Sequence, residues 1–184
     1  MDIQRQSLRP EIHEKEVHIP VDGIRLDGSL VLPKAARGVV LFAHGSGSSR
    51  LSPRNRYVAN VLQNAGFGTL LMDLLTEKEE VFDQQTTVLR FDIGLLGRRL
   101  LRATCGLADQ SQPAKLPIGY FGASTGAAAA LVAAAELPDL ISAVVARGGR
   151  PDLAGRCAAQ SDFAHFTDCG RQGHAGHGTQ AEGV

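Results

Sequence analysis

The chain has 184 residues, 43% of them apolar, which is enough for one domain with a real core and too little for two. Nineteen basic residues balance nineteen acidic ones, so no excess charge points to nucleic acid or an acidic membrane surface, and a small-molecule enzyme or an interaction domain fits better. Three widely spaced cysteines (Cys105, Cys157, Cys169) argue against a disulfide framework, no stretch nears the roughly 18 apolar residues of a membrane helix, and residues 1–10 carry no apolar signal core, so a soluble cytoplasmic protein is expected.

Two half-buried strands open the fold, Val17–Val21 and Ile24–Leu32, each alternating apolar and polar residues. Asp22-Gly23 between them is a strong hairpin signal. Gly38–Ala43 is a continuous apolar run of strand length, as in strands buried on both faces. Tyr57, Val58, Val61, Leu62 and Ala65 then recur at helical spacing, with Gly66 placed as a C-terminal cap. Gly68–Met72 is the next strand, closed by Asp73. Glu77–Glu80 reads as the start of a surface excursion in which Asp73 and Glu77 are candidates to touch substrate.

Leu89, Ile93, Leu96 and Leu100 mark one face of a helix from about Thr86 to Cys105, with Arg98, Arg99 and Arg102 on its solvated side. A strand over 117–122, an Ala-rich helix over 125–137 and a strand over 141–146 follow, the last stopped by Arg147–Pro151. An antiparallel start followed by strand–helix alternation predicts an α/β fold, an open, mostly parallel sheet with helices on both faces. The organisation expected is a tail over residues 1–14, one domain over 15–155 and a tail over 156–184. That second tail shows no apolar periodicity and is Gly- and His-rich toward its end, so disorder is expected there.

Gly122-Ala123-Ser124-Thr125-Gly126 matches G-x-S-x-G, a sharp turn that presents a serine between a strand and a helix. The glycines answer crowding, since side chains two residues either side of the serine would collide. An apolar strand ends at the motif and a helix of small residues begins after it. The first turn of that helix offers free N–H groups and partial positive charge where an oxyanion would form. His44–Ser49, after the third strand, is a Gly/Ser loop suited to supply a second backbone donor. Ser124 is thus the candidate nucleophile, with the N–H of Thr125 and one from Gly45 or Ser46 as oxyanion donors. A phosphate loop is excluded, because no Gly-Lys-Ser/Thr follows and Arg50 is the first basic residue. His44 reads as structural in its turn, not as a general base.

The runs Val39–Ser48, Gly122–Gly126 and Gly148-Gly149-Arg150-Pro151-Asp152, in that order, resemble the dienelactone hydrolase-like branch of the α/β-hydrolase superfamily over residues 15 to 155. The resemblance implies hydrolysis of a small ester, lactone or thioester through an acyl-enzyme, without cofactor or metal, with a small-molecule substrate as partner and neither nucleic acid nor membrane. Dienelactone hydrolase itself differs in using a cysteine where this chain has Ser124. In the family an acid and then a histidine follow the seventh and eighth strands, and neither strand is recognisable here, so the fold is expected to lack its last two strands. His165, His174 and His177 follow Ser124 without a scaffold to hold them, and Asp152 stands where some α/β-hydrolases carry the acid.

Two other readings concern the tail. Cys157, Cys169, His174 and His177 are zinc-ligand types, but paired Cys-x₂₋₄-Cys spacing is absent. Alternatively, the codons of Ser161 to Gln180, read one nucleotide later with free wobble positions, allow an apolar run followed by Gly-Gly-x-Asp, as if the native frame were lost between about Ala154 and Ser161. The competing functional class is a non-catalytic α/β binding module, or an inactive fragment, that keeps the elbow as a turn.

Overall fold

The computed structural model describes residues 13–109, 116–149, 151–158 and 166–168. Asp22 and Gly23 take φ of 45° and 85°, the backbone that a tight primed hairpin turn requires. They join β1 (Glu14–Val21) to β2 (Ile24–Val31), with Val21 opposite Ile24 and Glu14 opposite Val31. In chain order there follow β3 (Val39–Ala43), α1 (Pro53–Asn64), β4 (Gly68–Met72), α2 (Glu77–Thr86), α3 (Ile93–Ala108), β5 (Ile118–Ala123), α4 (Thr125–Ala135), β6 (Ile141–Arg147) and β7 (Phe166–Asp168). Short 3₁₀ turns lie at Leu89–Phe91 and Pro151–Ala158, the second broken at Gly155.

The sheet runs β1-β2-β4-β3-β5-β6-β7, antiparallel as far as the β2–β4 pair and parallel beyond it. One face carries the larger core, in which Leu41, Tyr120 and Val144 of the strands meet α3 and α4 through Leu96, Leu100 and Leu131. The other holds Phe42, Leu71 and Phe121 against Ala59 of α1. Helices on both faces of a mostly parallel sheet are what the strand–helix alternation predicts.

Four expectations need correction. First, Tyr57 and Val61 of α1 are exposed, while Asn55, Ala59 and Gln63 are buried. The apolar spacing is helical, but the helix turns Gln63 inward, where its side-chain amide donates to Thr69 Oγ1 at 2.7 Å. Second, Glu77–Glu80 begins a helix, started by a capping box between Thr76 and Glu79. Third, the single helix expected from about Thr86 is interrupted. Thr87 ends α2 in the left-handed region (φ 59°), and Asp92 caps α3 by accepting from Leu95 N–H at 2.8 Å. Fourth, Arg98 and Arg102 are exposed as expected, but Arg99 is buried. Its guanidinium donates to Leu74 O and to both carboxylate oxygens of Glu79, at 2.6 and 2.9 Å.

The tail, expected to carry no strand, contributes β7, whose three residues run parallel to β6 with Val144 opposite Phe166. Asp152, the candidate acid, is exposed beyond β6. The rest of the expected disorder, with His165, Cys169, His174 and His177, lies outside the described residues, as does the side chain of Cys157.

Candidate active site

After β3 the chain crosses to β4 on one side, and β5 then lies on the other side of β3. Loops leaving the carboxyl ends of β3 and β5 therefore diverge, and a crevice opens between them, the usual ligand position in an open α/β sheet. The Gly/Ser loop leaves β3, and Ser124 leaves β5.

Ser124 has φ 51° and ψ −119°, a conformation that an L-residue holds only under constraint. The constraint is close packing by glycines. A Cβ on Gly122 would sit 2.5 Å from Ala127 Cα, and one on Gly126 would sit 2.2 Å from Ala43 O. Ala127 to Ala130 are buried, so α4 lies directly on the sheet. The amide of Ser124 donates to Arg147 O of β6 at 3.2 Å, and its side chain is partly exposed between buried neighbours.

The Gly/Ser loop rests against this elbow. A Cβ on Gly45 would lie 3.1 Å from Ser124 Cβ. The loop is a turn in which Ser48 N–H donates to Gly45 O at 3.2 Å, and Gly47 takes φ 66° at the third position, where only glycine turns easily. Ser46 Oγ and Thr125 Oγ1 are 3.2 Å apart, so a hydrogen bond joins the loop to the first residue of α4. Gly45, Ser46 and Thr125 are thus brought together around Ser124, and the first N–H groups of α4 have no partner within their own helix.

His44 holds the loop from below. Its Nε2 accepts from Leu74 N–H at 2.9 Å, so the ring proton sits on Nδ1, which donates to Gly45 O at 3.0 Å. Burial pushes the His44 pKa down, against smaller opposing effects of Gly45 O and Asp73, and the ring is neutral. Both ring nitrogens are committed to backbone, and neither is free to take a proton from Ser124. Asp73, a candidate for substrate contact, is instead a clamp: it accepts from Arg50 N–H at 2.7 Å and from the Arg50 guanidinium. Glu77 is exposed on the first turn of α2 and does not line the cleft. Among the described residues, no side chain hydrogen-bonds to Ser124 as a base would.

A cleft of about 410 Å³ opens beside the elbow, within the usual range for small-molecule sites. The Gly/Ser loop and Thr125 form one wall, α2 and Arg90 the other, and Leu74, Leu75 and Leu96 add apolar surface. Charge holds the second wall. Asp83 accepts from Leu89 N–H at 2.7 Å, Arg90 N–H at 3.0 Å and Arg90 Nε at 2.6 Å. Burial opposes the charge of Asp83, but these bonds outweigh it and hold its carboxyl below the usual range. Glu79, which Arg99 and Thr76 engage, is likewise held low against its own burial. The cleft residues Glu80, Asp83, Gln84 and Arg90 were missed as site candidates in the sequence. The signal that finds the helix of the first three is the capping box, Thr76 followed three residues later by Glu79, with Glu77 and Glu80 adding charge to the first turn.

A parallel sheet with a strained serine between strand and Ala-rich helix, facing a glycine loop from the neighbouring strand, defines the α/β-hydrolase class. No family model matches the chain. A crystal structure of dienelactone hydrolase from Anabaena variabilis is similar at 60% identity, covering 79% of this chain and 68% of that one, with a TM-score of 0.77. The chain therefore belongs to the dienelactone hydrolase-like branch of the α/β-hydrolase superfamily. Est1E from Butyrivibrio proteoclasticus shares the fold, at 20% identity and a TM-score of 0.60 over 73% of this chain and 50% of that one. A Mycobacterium tuberculosis H37Rv protein named as a phosphoribosyl transferase is 56% identical over 146 residues, 79% of this chain. The chain spans about a third (32%) of the length of that relative.

Proposed function

We propose that this chain is a serine hydrolase of small esters, lactones or thioesters, reacting through an acyl-enzyme at Ser124. The backbone of Ser124 carries the reading: a left-handed serine between β5 and α4 has no packing purpose, yet close-fitting glycines on both sides enforce it. In the proposed reaction Ser124 Oγ adds to the substrate carbonyl. The developing oxyanion accepts from Thr125 N–H and from an N–H of the Gly45–Ser46 loop, and collapse expels the alcohol or thiol. The Ser46–Thr125 hydroxyl bond fixes the spacing of the two donors. Water then hydrolyses the acyl-enzyme.

The reaction needs a base and a carboxylate to orient it. We propose that both belong to the end of the family fold that the shifted frame of the tail would encode, the acid after an apolar strand, and that this chain carries unrelated residues in their place. The coding DNA past codon 154 checks that reading directly. Elbow and oxyanion donors alone leave a rate of roughly 10³–10⁴-fold over water when triad members are lost, so slow turnover is expected of this chain.

Labelling with a fluorophosphonate tests the nucleophile. The expected outcome is a single adduct on Ser124, mapped by peptide mass spectrometry and abolished in Ser124→Ala. An unlabelled Ser124 in folded protein favours the second reading, a binding module that keeps the elbow as a turn, and the lack of a base among the described residues is what supports that alternative. The transferase activity in the name of the mycobacterial relative belongs to a protein of which the matched stretch is only 32%. The loop here also offers a phosphate little, since Arg50, its first cation, is already bound to Asp73.

A further inference from the structure

Among the described residues, the charged side chains that line the cleft are Glu80, Asp83 and Arg90, two carboxylates against one guanidinium. Asp83 and Arg90 satisfy each other: the carboxylate takes three donors from Leu89 and Arg90, and the guanidinium spends Nε and Nη2 on Asp83. The Glu80 carboxylate has no hydrogen bond or ion pair among the described residues, its backbone N–H alone being engaged, by Thr76 O. Glu80 is partly buried one helical turn before Gln84, and both face the cleft. Ser48, Ser49 and Ser52 also line the cleft, and their neutral hydroxyls add no counter-charge.

A partly buried carboxylate beside apolar surface, with no hydrogen-bonded counter-charge among the described residues, is costly for the empty protein and gains from an arriving cation with N–H donors. Burial and the carboxylates of Asp73, Asp83 and Glu77 push the Glu80 pKa up, against a weaker pull from Arg50, whose guanidinium is engaged by Asp73. The same field repels an anionic substrate. Leu74, Leu75 and Leu96 suit the alkyl stem that would separate the charged end of a substrate from its ester.

We infer that Glu80 makes this cleft selective for substrates with a primary ammonium group over neutral or anionic ones of the same shape. The inference rests on the hydrolase reading for the bond that is cleaved, but not for binding. Glu80 is a specificity-determining residue, which receives the ammonium, while Ser124 attacks the ester at the other end of the stem.

Calorimetric titration of n-butylammonium and of n-butanol into the Ser124→Ala chain tests binding without catalysis. The ammonium is expected to bind about tenfold tighter or more, the scale of a hydrogen bond to a charged group. That preference should vanish in Ser124→Ala/Glu80→Gln and persist in Ser124→Ala/Glu77→Gln, since Glu77 is exposed outside the cleft. On the Ser124 chain, methyl 6-aminohexanoate should exceed methyl heptanoate in kcat/KM by a similar factor. Equal affinity for the two titrants, or a preference that survives Glu80→Gln, overturns the inference and leaves the hydrolase reading standing. An ammonium preference without labelling or turnover at Ser124 does the reverse.

Discussion

The two walls of the cleft are built by opposite means. Behind the side lined by the Gly/Ser loop and Thr125, Ser124 is held by close packing of small residues: Gly122 and Gly126 touch backbone where any Cβ would collide, and Ala127 to Ala130 lie flat on the sheet. On the other, α2 is held by charge, Glu79 to Arg99 and Asp83 to Arg90, while Val81 and Phe82 of the same helix face solvent. Packing fixes a backbone to a fraction of an ångström and tolerates no added methyl. Ion pairs fix a helix more loosely and depend on the charge state of every member. The wall proposed to do chemistry is the rigid one, and the wall proposed to read the substrate is the adjustable one.

The largest effect separating the two walls should come from Gly126→Ala. Its new methyl would lie 2.2 Å from Ala43 O and 2.4 Å from His44 O, with backbone on both sides unable to yield. A loss of about 3 kcal/mol or more is expected, read from the midpoint of urea denaturation. Arg99→Met removes the guanidinium from Glu79, which keeps only its Thr76 donors, and from the Leu74 carbonyl. Because Glu79 is partly exposed, the expected loss is about 2–3 kcal/mol, below the range for fully buried pairs. Hydrogen exchange should show protection falling over residues 77–91 and holding over β5 and α4; equal loss in both would show the walls to be one cooperative unit.

Acid should divide the walls in sequence. The His44 pKa is lowered in the folded chain, so the unfolded chain binds the extra proton first, and stability declines as pH falls through about 6.5. Glu79 and Asp83 are also held low, so their contribution is complete above their ordinary carboxylate range and declines only as pH falls below it. Denaturation midpoints against pH should therefore show a first decline that His44→Gln removes, and a second below about 4.5 that it leaves in place. The smallest effect is expected from Ser46→Ala, which removes the hydroxyl link to Thr125. It should change stability by no more than about 0.5 kcal/mol and slow fluorophosphonate labelling by roughly two- to tenfold.

The packed wall was legible in the sequence and the charged wall was not. Gly122, Ser124 and Gly126 announce themselves because steric exclusion leaves few residue types possible, and Asp22-Gly23 does so for the same reason. The class of fold followed from apolar runs that only a sheet buried on both faces can use. Arg99 reads as solvated with Arg98 and Arg102 because charged residues on a helix usually are, and only the three-dimensional approach of Glu79 and Leu74 O reverses that. The inward face of α1 escaped for a related reason: a polar Gln63 with a buried Thr69 to bond looks no different, in one dimension, from one facing water. Glu80 could not be singled out, since what distinguishes it is the lack of the partner that Glu79 and Asp83 each have.

The unusual torsions of Ser124 have a consequence for anyone who alters this position. Glycine accepts a φ of 51° without penalty, whereas serine there forgoes roughly 1–3 kcal/mol. Replacing Ser124 by glycine should therefore yield a chain that melts later than its parent and carries no hydroxyl to acylate. A screen of this gene for thermal robustness alone would enrich for that loss.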